Sequence, residues 1–340
     1  MARATVHNVL YTEEVWANVN EENKELMDDF CEYLHSVNRA DSTIAQYKND
    51  LRIFFCWNYT NNKDKTFIDL SKREIARFQN TALTTWEWSP SRIRRVKATL
   101  SSLSNFIENI LDDEYKDFRP IVRKIENPVN EPVREKTVLS DEDVQLLLDT
   151  LVEREEYEKM MVVALAAYSG RRKSELPRFK MSYFSDENVI AGSLYKTPEK
   201  IRTKGRGKNG KMLYCYVLKK KFDPYLELWR EYREENGVDS EWLLYDPDNI
   251  SEPINVTTID SWMLQFERIV GKDVYAHSFR HYTCTALSEA GLPPEIIRQL
   301  FGWSDISLVS VYTDTSTDDV LENYFKDGEI VSHKAGLEDL

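Results

Sequence analysis

The sequence predicts a mainly α-helical protein with a small β-sheet, an α+β class, divided into two domains. Apolar residues recur at helical spacing through most of the chain. Between about 183 and 218, residues that favour strands predict a small sheet region. Residues 116–137 hold three prolines among charged residues and little apolar periodicity, which predicts a stiff interdomain linker.

The first domain is predicted to be a helical bundle over residues 21–115, preceded by an N-terminal extension, residues 1–20. Two apolar stripes with helical spacing predict its first two helices: Leu26, Phe30, Tyr33, Leu34 and Val37, then Ile44, Tyr47, Leu51 and Phe54. A third helix should begin after Ser71, where Glu74 completes a capping box. A fourth should begin at Ser89 and Pro90, a cap followed by a favoured first-turn proline.

The second domain, residues 138–316, is predicted to open at Ser140, where Asp143 completes another capping box. Two helices, the sheet region and four further helices should follow, the last four near 222–236, 257–270, 278–290 and 293–301. The remaining tail, residues 317–340, carries an apolar stripe in acidic surroundings. We expect this tail to cover its own domain or to link subunits.

Composition places the chain among ordinary globular proteins. Hydrophobic residues make up 41% and charged residues 30%, which excludes disordered and fibrous classes. No apolar run approaches the roughly 18 residues of a membrane span, and the amino terminus lacks an apolar secretory core. A cytoplasmic location is therefore predicted. The four cysteines show no C-x-x-C pairing, which favours reduced core thiols over a disulfide framework or a zinc site.

The distribution of charge points to DNA although the net charge is −13. In residues 196–221, ten basic residues stand against Glu199 alone, a local excess of nine positive charges. Because fields are screened over about 8 Å at physiological salt, distant acidic surfaces cannot cancel this excess. The residues predicted to contact DNA are Arg92, Arg94, Arg95, Lys97, Arg171, Arg202, Arg206, Lys208 and Lys211.

Two arginine motifs predict anion sites. In SGRRKSEL, Gly170 ends an apolar run, and a new helix is predicted to start with Arg172 near its amino end, where a guanidinium and a helix start favour an anion. In HSFRH, His277 and Arg280 lie three apart on a predicted helix, so both project from one face and suit a phosphate. Further along, FGW ends at Trp303, and Tyr312 follows nine residues later.

In order and spacing, six residues resemble the active-site set of the tyrosine recombinases, the integrase family of phage integrases and the Xer and Cre enzymes: Arg172, Lys204, His277, Arg280, Trp303 and Tyr312. The resemblance covers residues 138–315 well and residues 20–112 more loosely. It implies a helical SAM-like core-binding domain followed by a tyrosine-recombinase catalytic domain. At the position of Trp303 the family more often has histidine, and at that of Arg171 often an apolar residue.

The resemblance implies a site-specific DNA recombinase that cleaves and rejoins strands through a 3′-phosphotyrosine intermediate, integrating or excising a mobile element or phage genome. Tyr312 would be the nucleophile and Lys204 the general acid. Arg172 and Arg280 would stabilise the phosphate, with Glu175 orienting a catalytic residue. His277 would act as base or hydrogen-bond donor, and Trp303 as indole donor or support.

No ATP, metal or other cofactor is expected, because the covalent intermediate stores the phosphodiester bond and the family works without a metal. The implied partners are double-stranded recombination sites and a homotetramer on paired sites, with a monomer or dimer off DNA. An accessory excision or DNA-bending factor is a further implied partner, and no membrane is expected.

Other interpretations of the same residues remain. Arg172 could be a structural arginine paired with Glu175, the general acid could be Lys200, Lys208 or Lys211, and Trp303 could be a core residue. His277 and His281 are four apart and could share a metal, although the intervening SFR lacks the glutamate of the usual motif. The alternative functions are a catalytically inactive DNA-binding regulator of the same fold and a type IB topoisomerase-like nicking enzyme.

Overall fold

The computed structural model describes residues 10–129, 138–203 and 210–303, residues 305, 307 and 309, and the backbone of residues 325–326 and 329–330. These residues divide into two compact units: the first contains residues 10–129 together with Gly210, and the second contains residues 138–203 and the described residues from Lys211 onward. Among the described residues, the helices are all too short or too polar to span a bilayer.

The first unit contains the four predicted helices and one short helix before them: α1 (Glu13–Ala17), α2 (Glu21–Ser36), α3 (Asp41–Asn61), α4 (Lys72–Thr84) and α5 (Pro90–Ile110). The predicted caps are confirmed. The Ser71 backbone N–H donates to Glu74 Oε2 at 2.8 Å, and the Ser89 hydroxyl oxygen accepts from the Arg92 backbone N–H at 3.3 Å. Buried aromatic rings fill the core. The rings of Phe54 and Phe78 pack edge to face, with their centroids 5.0 Å apart.

The first unit is larger than the sequence predicted. Before α2, Val15 and Trp16 pack against the core and Val19 is 2% exposed, so residues 15–19 belong to this unit and are not a separate extension. After α5, Val122 is fully buried in a 3-10 helix (Val122–Lys124) inside the predicted linker. Short and 3-10 segments lack the 3.6-residue period, which is why periodicity missed them. Residues 130–137 lie outside the described ranges.

The second unit contains the predicted helices: α6 (Asp141–Glu153), α7 (Tyr157–Ser169), α8 (Lys219–Glu235), α9 (Val256–Val270), α10 (Ala276–Glu289) and α11 (Pro294–Phe301). The Ser140 capping box is confirmed, with its backbone N–H 2.9 Å from Asp143 Oδ2. Helices α6, α8 and α10 pack around α7. Residues 160–169 of α7 are all buried, which explains why this helix is apolar on every side.

The sheet region is smaller and more divided than predicted. Its strands are β1 (Val189–Ile190), β2 (Leu194–Lys196), β3 (Ile201–Thr203), β4 (Lys211–Leu213) and β5 (Tyr216–Leu218). They form one antiparallel sheet in the order β1-β2-β5 and a separate antiparallel pair, β3 and β4. Tyr183, where the sheet was predicted to begin, lies in a 3-10 helix.

Two short antiparallel pairs were not predicted. One joins β6 (Tyr245–Asp246) to β7 (Asn249–Pro253), and the other joins β8 (Phe325–Lys326) to β9 (Glu329–Ile330) in the tail. The rest of the predicted tail is outside the part of the chain that the structure describes. All four cysteines are buried and none forms a disulfide, as predicted.

Candidate active site

The segment that carries Arg172 leaves α7 through a glycine in a left-handed conformation. Gly170 has φ +58°, and a Cβ at this position would lie 2.4 Å from Phe301 Cε1. Residues 173–175 then form a turn that leads into a 3-10 helix (Leu176–Arg178). The α-helix predicted to start near Arg172 is therefore wrong: one 3-10 turn replaces it. Anion binding at this position depends on the guanidinium and not on a helix start.

Arg172 is held by the carboxylate of Glu175. Its Nη1 lies 3.1 Å from Glu175 Oε1, and its backbone N–H donates to Oε2 at 3.3 Å. The Glu175 carboxylate is buried, whereas the Arg172 side chain is 21% exposed. A buried carboxylate with two contacts to one residue restricts that residue's rotamer. This geometry fits both the structural ion pair and the orienting role that the sequence suggested for Glu175.

Arg280 lies on α10 and is completely buried. Its Nη1 donates to the Gly170 carbonyl at 2.8 Å, and its Nη2 donates to the Phe301 carbonyl at 3.4 Å. The guanidinium carbon is 4.5 Å from the Phe301 ring centre. His277, one turn earlier on the same helix, is exposed. The predicted helix beneath the HSFRH motif is therefore confirmed, with the arginine inside and the histidine at the surface.

The two arginine motifs meet in one region of the second unit. Gly170 is two residues before Arg172, so its bond to Arg280 holds α10 against the segment that carries Arg172. The Cys215 thiol lies in the same region. Burial raises its pKa, and the charges of Arg171, Glu175 and Arg280 also act on it. The charges of Glu175, the partner of Arg172, and of Arg280 therefore both act on one buried thiol.

Trp303 lies beside the buried guanidinium. Its ring stacks on Phe301 with centroids 4.9 Å apart, and the Arg280 guanidinium carbon is 5.0 Å from the Trp303 ring centre. Only 4% of Trp303 is exposed. Trp303 is therefore packed in the core and also lies beside Arg280. This position fits both interpretations of the sequence, in which Trp303 is a core residue or a residue of the active site.

Four of the predicted site residues lie outside the described ranges: the catalytic candidates Lys204 and Tyr312 and the predicted DNA contacts Arg206 and Lys208. Along the chain, Lys204 directly follows Thr203, the last residue of β3.

Two of the predicted DNA contacts are buried, which argues against direct contact with DNA. Arg171 is 2% exposed and its Nη2 donates to the Leu300 carbonyl at 2.5 Å. Lys97 is 4% exposed, and its ammonium donates to Gln79 Oε1 and to the carbonyls of Ile125 and Glu126 at 2.7–3.0 Å. The sequence alone places a charged residue at the surface, because charged side chains are mostly exposed. The acceptors that allow Arg171 and Lys97 to be buried belong to other segments, whose packing the sequence did not predict.

Replacing Lys97 with methionine should lower the free energy of unfolding by about 2 kcal/mol, because it removes a buried ammonium's three hydrogen bonds and leaves two part-buried carbonyls without their donor. Chemical denaturation measures this loss. Arg94 is the matched control, since it lies on the same helix, is exposed and also binds a carbonyl, that of Pro128. Arg94→Met should lower the free energy of unfolding clearly less. A stable Lys97→Met variant that binds DNA more weakly would instead show that Lys97 contacts DNA.

The other predicted DNA contacts in the described ranges lie at or near the surface. Arg92 is half-buried over the Trp88 ring at 4.1 Å, and Arg95 is exposed while pairing with the buried Asp50 at 3.2 Å. Arg202 and Lys211 are exposed on β3 and β4. Within the described ranges, no group of three His, Cys, Asp or Glu side chains is placed to hold a metal ion.

Comparison with known proteins matches both units to one family. A family model described as "Phage integrase family" matches residues 137–318, and one described as "Phage integrase, N-terminal SAM-like domain" matches residues 26–117. The SPbeta prophage-derived recombinase-like protein YomM of Bacillus subtilis (strain 168) is 33% identical over 286 residues, 82% of this chain and 82% of that protein. Tyrosine recombinase XerA of Pyrococcus furiosus is 22% identical over 290 residues, 85% of this chain and 89% of that protein.

Solved structures share the fold. A lambda integrase dimer bound to a COC′ core site has a TM-score of 0.62 at 14% identity, covering 92% of this chain and 82% of that chain. The Tn1549 transposon integrase in complex with circular intermediate DNA has a TM-score of 0.60 at 15% identity, covering 88% and 99%. The first family model spans more than half of the chain. The chain therefore belongs to the phage integrase family and is a tyrosine recombinase, an enzyme of site-specific DNA recombination, as its sequence predicted.

Proposed function

We propose that this recombinase cuts and rejoins DNA strands through a 3′-phosphotyrosine intermediate and that it integrates or excises a mobile element or phage genome. One observation carries the chemical part of the proposal. The 2.8 Å bond from Arg280 Nη1 to the Gly170 carbonyl holds one buried guanidinium against the segment that carries a second, Arg172. Two guanidinium groups in one region suit a phosphodiester, whose transition state gains negative charge.

The cleavage step transfers a phosphoryl group from the DNA 5′ oxygen to Tyr312. The Tyr312 phenolic oxygen attacks the phosphorus, the bond from phosphorus to the 5′ oxygen breaks, and the 3′ end becomes linked to the protein. Tyrosine has an ordinary pKa near 10, so Tyr312 needs the positive field of the arginines or a base to lose its proton. Lys204 gives a proton to the leaving 5′ oxygen. Reversal by another 5′ hydroxyl rejoins the strand without ATP.

The remaining residues support this step. Arg172 and Arg280 bind the non-bridging oxygens of the phosphate, and Glu175 holds the Arg172 guanidinium in place. His277, exposed on the first turn of α10, assists as base or hydrogen-bond donor near the attacking oxygen. Trp303 donates its indole N–H to the phosphate or supports the Arg280 guanidinium that it contacts.

The two arginines differ in access to the substrate. The Arg172 side chain is partly exposed, whereas Arg280 has no exposed surface. A phosphate that enters the site therefore meets Arg172 first and reaches Arg280 after a neighbouring segment moves. Such a movement would couple DNA binding to completion of the catalytic site.

The proposed partners are double-stranded recombination sites in the cytoplasm and further copies of this chain. One structural match is a lambda integrase tetramer bound to a Holliday junction, with a TM-score of 0.62 at 14% identity. This match supports four protomers on paired sites, with residues 317–340 as the proposed link between subunits. The prophage origin of YomM and the transposon integrase among the structural matches support a mobile element.

A nicked duplex tests the proposed chemistry, because a short 5′-hydroxyl fragment diffuses away after cleavage and traps the covalent complex. Wild type should form a protein adduct on the cleaved strand, labelled at its 5′ end, and Tyr312→Phe should form none. Tyr59→Phe, a change of the same type on α3 of the first unit, should behave as wild type. No adduct with wild type would favour the inactive regulator, and an adduct with Tyr312→Phe would place the nucleophile elsewhere. Joint molecules between two duplexes then distinguish recombination from a topoisomerase-like reaction.

A further inference from the structure

The carboxyl end of α11 binds cations at four consecutive backbone carbonyls. We call residues 300–303 the α11 terminus. The donors, from the Leu300 to the Trp303 carbonyl in order, are Arg171 Nη2 at 2.5 Å, Arg280 Nη2 at 3.4 Å, Lys211 Nζ at 3.1 Å and Arg298 Nη1 at 2.9 Å. The last carbonyls of a helix carry partial negative charge, which cations stabilise. The α11 terminus therefore joins the segment after α7, helix α10 and strand β4.

Strand β4 contacts the α11 terminus through two side chains on one face. Besides the Lys211 ammonium on the Gly302 carbonyl, Leu213 packs on Gly302 itself: a Cβ there would lie 2.0 Å from Leu213 Cδ1. Residues two apart in a strand share a face, and Met212 between them is 49% exposed, as expected for the opposite face. Lys211 is thus an anchoring residue as well as an exposed one.

The anchored position of β4 lies directly opposite the end of β3. Lys211 pairs with Thr203 in the antiparallel register, and the Thr203 hydroxyl donates to the Lys211 carbonyl at 2.9 Å. Thr203 is buried, and Lys204 is the next residue along the chain. Any constraint on Lys211 is therefore transmitted through one strand pair to the residue that precedes Lys204.

We propose that Lys211 is a positioning residue, which holds the β3–β4 pair on the α11 terminus and thereby sets the distance from the Lys204 ammonium to the leaving 5′ oxygen. This inference rests on the proposed function, in which Lys204 donates the proton. Proton transfer requires the donor within hydrogen-bond reach of the oxygen, and a long lysine side chain meets that condition only when its backbone is held. Arg280 also binds the α11 terminus, through the Phe301 carbonyl. The α11 terminus would therefore hold in place both the strand pair that precedes Lys204 and the guanidinium that binds the phosphate.

The first test compares Lys211→Met with Met212→Ala, a change at the neighbouring position on the opposite face. At saturating protein, Lys211→Met should slow covalent complex formation on the nicked duplex about 10- to 100-fold, a fraction of what general acid catalysis contributes. Lys211→Arg should recover most of the rate, and Met212→Ala should retain it. The salt dependence of DNA affinity should stay unchanged in Lys211→Met. A slope reduced by about one phosphate contact would overturn the proposal in favour of direct DNA binding.

The second test replaces the scissile 5′ oxygen by sulfur. A thiol has a pKa near 8.5, so a thiolate leaves without a proton, and a defect in proton donation should largely disappear. Lys211→Met and Lys204→Met should both recover on the sulfur substrate, and the double variant should be no slower on the oxygen substrate than Lys204→Met alone. A Lys211→Met defect that persists with sulfur, or that adds to the Lys204→Met defect, would overturn the proposal.

Three outcomes distinguish failure of the Lys211 positioning role from failure of the proposed function on which it rests. If wild type forms no adduct with either substrate, the proposed function and the inference both fail. If Lys204→Met cleaves the oxygen substrate at the wild-type rate, the general acid is another lysine and the positioning role fails with it. If the sulfur substrate rescues Lys204→Met but not Lys211→Met, the catalytic assignment stands and only the positioning role is rejected.

Discussion

Arg280→Lys should slow covalent complex formation by about 10²- to 10³-fold, the usual cost of removing one preorganised donor from a transition state. A guanidinium presents several N–H groups in a planar fork, which allows one side chain to bind the Gly170 and Phe301 carbonyls and, once the proposed movement gives access, a phosphate as well. An ammonium is a single point charge and cannot hold both segments in the same geometry. The measurement is the rate of adduct formation on the nicked duplex at saturating protein.

Arg230→Lys is the matched control for this variant. Arg230 lies on α8 in the same unit and also donates to a backbone carbonyl, that of Phe184 at 2.8 Å, and its ion-pair partner is Glu227 on the same helix. Its replacement should leave the rate of cleavage near the wild-type value. If Arg280→Lys retained its fold and cleaved DNA as fast as Arg230→Lys, Arg280 would be a structural arginine and the proposed pair of phosphate-binding guanidiniums would be wrong.

Gly170→Ala should destabilise the protein by about 3–4 kcal/mol, the sum of a left-handed backbone penalty and an overpacked core. The new methyl group would lie 2.4 Å from Phe301 Cε1 and 3.1 Å from Thr283 Cβ, and both neighbours are buried. Urea denaturation measures the loss. Because the Gly170 carbonyl accepts from Arg280, slower cleavage should accompany it.

Gly192→Ala separates the two contributions to this cost. Gly192 also has a positive φ, +67°, but no heavy atom lies within 4 Å of a Cβ built there. It should therefore show the backbone penalty alone, about 1–2 kcal/mol. A Gly170→Ala variant that is no less stable than Gly192→Ala would mean that Phe301 moves aside freely, and the close packing of α11 on the end of α7 would have to be revised.

Local patterns predicted most helices of both units. The stripe from Leu26 to Val37 and the boxes at Ser71 and Ser140 depend on residues three or four apart, whose contacts form within one helix. The same holds for His277 and Arg280 on α10. Prediction failed where regular periodicity ends. The turn after Arg172 was taken for an α-helix, and the buried Val122 was placed in a linker.

The order of the catalytic motifs and the position of most helices could be read along the chain, because both depend on short-range spacing. The sequence did not predict whether a given cation faces solvent or the interior. The carbonyls that bind Arg171, Lys211 and Lys97 belong to residues 129, 91 and 28 positions away, so their burial or anchoring follows from folded segments meeting in space. A buried cation is tolerated only where such acceptors converge, and that convergence is a property of the three-dimensional fold.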